Sequence, residues 1–121
     1  GVDADRLHAD RSLLGRILES FVVGELRKQL SWAAPGTALQ HFRTASGSEV
    51  DVVLERPDGS VAGVEVKARA TVGPADFAAL AGLRDQLGRK FIAGVVLHTG
   101  DQLLPAGDKL WLAPLPALWE A

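Results

Sequence analysis

The chain has 121 residues, 47% of them hydrophobic, no cysteine, and a net charge of −2. That length and apolar content predict one domain, residues 1–121, with a packed core. They exclude a disordered tail, a disulfide framework, a thiolate metal site and a broad basic coat that binds nucleic acid by charge alone. No apolar run approaches the ~20 residues of a membrane helix, and no signal peptide opens the chain. The expected setting is therefore the cytoplasm, with no membrane partner. The first residue is Gly, not Met, which predicts a further N-terminal part of a longer protein. Residues 1–10 read as an N-terminal extension.

"RSLLGRILESFVVGELRKQL" (11–30) contains no proline and repeats apolar residues at Leu14, Leu18, Phe21, Val22, Leu26 and Leu30, close to helical spacing. Its apolar arc is wide, which predicts a well-buried helix. "SWAAPGT" breaks it at Pro35-Gly36. Three strand-like segments follow: "ALQHFRT" (38–44), "EVDVVLE" (49–55) and "VAGVEVKA" (61–68), joined by the turns "ASGS" and "RPDGS". "TVGPADFAALAGLRDQLGRK" supplies the next helix, with Pro74 at its start and Gly88 after its last turn. "FIAGVVLHT" (91–99) is short and nearly all apolar, so it predicts a central strand covered on both faces. The tail reads as a turn at "PAGD", one short strand in "KLWLAPL", and a terminal turn carrying Trp119. The order α-β-β-β-α-β plus a final strand predicts an α/β fold with a mixed sheet: an antiparallel meander, then a helical crossover.

The middle of this pattern carries charges that an apolar hairpin does not need. With "RPDGS" as the loop, Glu55 pairs with Val61 and Asp51 falls opposite Glu65. Strand alternation then puts Asp51, Glu65 and Lys67 on one face of the sheet. Val50, Val52 and Leu54 are expected on the other face with Val64 and Val66, provided that no bulge interrupts the strand. Two carboxylates about 4 Å apart repel by roughly 4 kcal/mol at an effective dielectric of about 20. A proton, the Lys67 ammonium or a divalent cation can relieve that repulsion. Two carboxylates and a backbone carbonyl suit Mg²⁺, or Mn²⁺, held weakly because most of the remaining ligands are water or phosphate. A lysine beside such a metal can orient a water and stabilise developing negative charge, which is the chemistry of phosphodiester hydrolysis.

"EVD" followed by "VEVK" within α-β-β-β-α-β resembles the PD-(D/E)XK nuclease superfamily. The resemblance implies a restriction-endonuclease-like αβββαβ core, with the mixed central sheet flanked by helices and a short C-terminal strand added. It implies Asp51 as the motif aspartate, Glu65 as its second acid and Lys67 as its lysine, with Asp51 and Glu65 as the metal ligands. Val50 stands where the motif name has proline. Glu19 in "GRILESF" resembles the helix glutamate that joins such sites in resolvase-like branches. "GRILESFVVGEL", "HFRTASGSEVDVVLE", "GVEVKA", "LRDQLGRKFIAGVVLHTG" and "PLPALW" together resemble the C-terminal domain of unknown function carried by many prokaryotic AAA-type ATPases. The nuclease resemblance implies nucleic acid, DNA in the first place, as substrate; the second resemblance implies an N-terminal ATPase module of the same protein as partner, with a second copy of the chain as a further candidate. The chain itself holds no phosphate-binding G-x-x-x-x-G-K-[ST]. The same resemblance admits an inactive nuclease-like domain that binds DNA or a partner and regulates the ATPase.

Other residues keep two readings. Glu25 shares the helix of Glu19, and either could reach the site. His41 and Arg43 alternate on the strand before Asp51 and could approach a phosphate, or line a solvent-facing edge. Arg84, Arg89 and Lys90 suit a helix C-terminus or a small phosphate rim. His98 reads as a satisfied structural histidine, and three scattered histidines give no zinc spacing. Trp111 and Trp119 read as anchors that cover the core.

Overall fold

A computed structural model describes residues 22–28, 36–43 and 49–117, with the side chains of 41–43 and 49 outside that description. Within it, helix α1 covers 22–28. Strands β1 (Ala38–Arg43), β2 (Glu49–Glu55) and β3 (Val61–Lys67) follow, then a 3₁₀ turn at Pro74–Phe77 that leads into helix α2 (Ala78–Leu87). Strands β4 (Phe91–His98), β5 (Leu104–Gly107) and β6 (Leu110–Pro114) complete the order. The fold is mixed α/β, built on a six-stranded sheet in the order β1-β2-β3-β4-β6-β5. The β1–β2 and β2–β3 pairs are antiparallel, β3–β4 and β4–β6 parallel, and β5–β6 antiparallel.

The β2–β3 hairpin has the expected register, with Glu55 opposite Val61 and Val52 opposite Val64. Its turn is fixed locally. The Asp58 carboxylate accepts the Ser60 N–H at 2.9 Å, and Gly59 takes the φ of +89° that the turn requires.

The core lies in two layers. Val22 and Leu26, four apart on α1, pack with Val52, Val64, Val66, Leu97 and Ala113. Leu80, Leu83 and Leu87 of α2 share a helical face and pack with Val53, Val61, Phe91, Val96, Leu110 and Leu112 on the other side. Val96 and Leu97 thus face opposite layers, and β4 is the central strand covered on both faces that its composition predicts. Helix α2 sits close to the sheet because Gly63 and Gly94 are lateral partners on β3 and β4. A Cβ on Gly63 would stand 2.6 Å from Leu80 Cδ2, so the missing side chain is what admits Leu80. Gly88 ends the helix at φ +58°.

Three expectations are corrected. Val50 does not join Val52 and Val64; it packs in the α2 layer with Val53 and Leu80. The reason is a bulge: Gln40 pairs with Val53 but Phe42 with Val50, so Asp51 and Val52 together oppose His41. The tail contains two strands, not one. Leu104–Gly107 is an edge strand that tolerates Pro105, and it turns into β6 through Lys109 at φ +59°. Trp111 does not cover the core, because it faces outward between buried Leu110 and Leu112. Trp119 lies outside the described residues.

Candidate active site

The β2–β3 ladder ends at Val52–Val64. Beyond it, the N–H of Val66 donates to Asp51 Oδ2 at 2.8 Å. The bulge turns Asp51 so that its carboxylate fills the place of a ladder bond and is held by the neighbouring strand. One residue to either side of Val66, Glu65 and Lys67 project from β3 on its other face, with Lys67 Nζ 3.6 Å from Glu65 Oε2. Glu65 is almost closed to solvent, its side chain 6% exposed against 30% for Lys67.

Burial pushes the Glu65 carboxyl up from 4.5 to about 7. The Lys67 ammonium pulls the other way, and the negative charge of Asp51 adds to the rise. Glu65 thus stands within electrostatic reach of both Lys67 and Asp51. A buried carboxylate with one cation on its solvent side is a charge that a further cation would stabilise. The donors are hard oxygens, so the set fits Mg²⁺ or Mn²⁺ better than a soft metal. Among the described residues, no group of three or more His, Cys, Asp or Glu side chains is placed to hold a metal. Asp51 and Glu65 are the side chains that would hold such an ion.

Two charged residues that the sequence reading did not single out stand beside this cluster. Asp76 bears on the charge of Glu65, and Lys67 bears on that of Asp76. Arg69 bonds both carboxylate oxygens of Asp76, Nη1 reaching Oδ2 at 3.0 Å. Asp76 also accepts the Gly73 N–H at 2.9 Å. Burial works against ionising Asp76, but the bonds from Arg69 and Gly73, with the charges of Arg69 and Lys67, outweigh it and hold its carboxyl below 3.8. The signals for this pair were the "KAR" that extends "VEVK" and an acid three residues past Gly73.

The remaining candidates fall elsewhere. Glu19 lies outside the described residues. Glu25 is half-buried on α1, which packs on the Val64–Val66 face of the sheet, opposite to Glu65. The backbone of His41 stands opposite the Asp51–Val52 bulge and that of Arg43 pairs with Glu49; both side chains lie outside the described residues. Arg84 is tied to Asp85 and to the Asp108 carbonyl, each at 3.0 Å, so it fastens α2 to the β5–β6 turn. Arg89 and Lys90 are exposed in the 3₁₀ turn before β4. His98 is fully buried, with Nδ1 2.8 Å from the Ala70 carbonyl and Nε2 2.9 Å from that of Gln102. It is the structural histidine expected, and it joins the loops that follow β3 and β4.

The described residues form a mixed α/β domain on a six-stranded mixed sheet. Residues 14–118 match the family described as "Domain of unknown function (DUF4143)", and the chain belongs to that family. None of the curated proteins matches it. A solved structure described as "Structure of EndoMS-dsDNA2 complex" is similar at 22% identity and a TM-score of 0.39, over 64% of this chain and 35% of that one. The chain thus spans about a third of that protein's length. No described helix is long and apolar enough to cross a membrane.

Proposed function

We propose that this domain is a metal-dependent phosphodiesterase of the PD-(D/E)XK type, with nucleic acid as substrate. The observation that carries the reading is the convergence of Asp51, Glu65 and Lys67, with Glu65 desolvated and Asp51 locked by the Val66 amide. Asp51 and Glu65 would hold Mg²⁺ or Mn²⁺. When bound, such an ion acidifies a water and draws charge from a phosphoryl oxygen. Lys67, partly exposed beside Glu65, hydrogen-bonds the attacking water or the phosphate oxygen on which charge builds. The Val66 N–H keeps Asp51 from swinging as charge changes around it. In this reading the core is restriction-endonuclease-like, and the chain is the C-terminal part of an AAA-type ATPase whose ATPase module is its partner.

A second reading has one observation in its favour: among the described residues, no group of three or more His, Cys, Asp or Glu side chains is placed to hold a metal. An inactive domain that binds DNA or a partner and regulates the ATPase would tolerate that. Incubation of supercoiled and linear DNA and of RNA with the protein, in Mg²⁺, Mn²⁺ or chelator, separates the two. Cleavage that needs metal supports the phosphodiesterase. Binding without cleavage in any of the three supports the regulatory module.

A further inference from the structure

Four charged side chains beside the site link in alternating sign. Glu65 faces Lys67 at 3.6 Å, Lys67 bears on Asp76, and Asp76 is gripped by Arg69 through two bonds. The last pair is built with its cation outward: the side chain of Arg69 is 46% exposed and that of Asp76 13%. Such a half-exposed ion pair adds little to stability, so stability alone does not explain the arrangement. Asp76 is itself fixed by the Gly73 N–H, and the backbone of Arg69 is fixed by the Thr99 N–H, which donates to its carbonyl at 3.1 Å.

A guanidinium has five N–H donors in a rigid fork. The two bonds to Asp76 engage one N–H each on Nη1 and Nη2, which leaves three N–H donors, that of Nε among them, not engaged by Asp76. Charge balance points the same way. Asp51, Glu65 and Asp76 against Lys67 and Arg69 leave a surplus of one negative charge when all are ionised. A divalent cation turns that into a surplus of one positive charge, the complement of one phosphodiester.

We infer that Arg69, aimed by Asp76, is the phosphate-binding residue of this site and grips a nucleic-acid backbone phosphate beside the one that is cut. The inference rests on the phosphodiesterase reading above. Arg69 touches substrate, and Asp76 is a positioning residue that acts through it.

The test is fluorescence anisotropy of labelled single-stranded and duplex oligonucleotides with the 121-residue chain, in Ca²⁺ so that binding proceeds without cutting, across a salt series. Arg69→Ala is expected to weaken binding roughly tenfold and to lower the slope of log affinity on log salt by about one. Arg69→Lys should keep the slope and lose part of the affinity, because an ammonium lacks the fork. It also carries the test if the alanine variant melts early. Asp76→Asn should weaken binding at unchanged slope, although removal of a negative charge alone would strengthen it. Unchanged slope and affinity in Arg69→Ala, or a wild type that binds neither oligonucleotide, overturns the inference; tighter binding by Asp76→Asn overturns the positioning role. Arg69-dependent binding with no cleavage in Mg²⁺ or Mn²⁺ would fail the phosphodiesterase reading and leave Arg69 standing. Cleavage with an unchanged Arg69→Ala salt slope would do the reverse.

Discussion

Asp51 and Val66 are joined across the end of the β2–β3 hairpin, the backbone N–H of Val66 donating to the Asp51 carboxylate at 2.8 Å. The bond ties the candidate site to the fold, since one carboxylate both ends the ladder and faces the charge of Glu65. Asp51→Ala should therefore cost stability as well as function, about 1–3 kcal/mol for a part-buried amide left unpaired. Asp51→Asn keeps an acceptor oxygen and should fold nearly as well as wild type. Urea melts of the two variants check this, and equal stability of both would mean that the bond carries no structural role.

Glu65 sets a pH dependence. Its pKa is raised in the folded state, from 4.5 to about 7. Between those values the unfolded chain has released the proton that the folded chain still holds. Stability in metal-free buffer should then fall as pH rises through that window and level off above it, by on the order of 3 kcal/mol. Asp76 has the opposite sign, its carboxyl held below 3.8, so its contribution is lost only at lower pH. Melting temperatures from pH 5 to 8 should fall for wild type and stay flat for Glu65→Gln. A parallel fall in both would assign the effect to other groups.

The register of the hairpin from Glu55–Val61 to Val52–Val64 was legible because "RPDGS" is a local turn and the strands alternate; the expected pairing of Asp51 with Glu65 was not met, because the ladder ends before it and Asp51 bonds the Val66 N–H instead. The face of Val50 was not legible. Its reversal comes from a bulge set by pairing with β1, a partner that hairpin parity does not include. Strand β5 was hidden for a similar reason: Pro105 and the absence of alternation argue against a strand, and pairing with β6 overrides both. Arg69 and Asp76 meet only because the loop after β3 folds back over seven residues, and charge spacing in a loop has no period to read.

Gly63 and Leu80 form the contact that seats α2 on the sheet. Leu80→Ala should cost about 2–5 kcal/mol, and Gly63→Val about 1–3 kcal/mol through overpacking. Because the two share one space, the double variant should lose less than the sum. Additive losses in a double-mutant cycle would place the strain of Gly63→Val elsewhere.

Lys67 separates catalysis from structure. As a catalytic group it should lose its effect on rate by orders of magnitude when changed to alanine, with the domain still folded. At pH 6, where Glu65 is largely protonated, removal of the ammonium should shift the melting temperature by only a few degrees. A large drop at pH 8, where Glu65 is largely ionised, without any cleavage by wild type would make Lys67 a structural counter-charge.

Metal-dependent cleavage at Asp51 and Glu65 is the activity on which the role of Lys67 also depends. Its most direct measurement is plasmid nicking by wild type and Asp51→Asn, purified and assayed side by side in Mn²⁺ and in chelator. Wild type is expected to nick in Mn²⁺ only, and the folded Asp51→Asn variant not at all. Equal nicking by the two proteins, or nicking that persists in chelator, would contradict it.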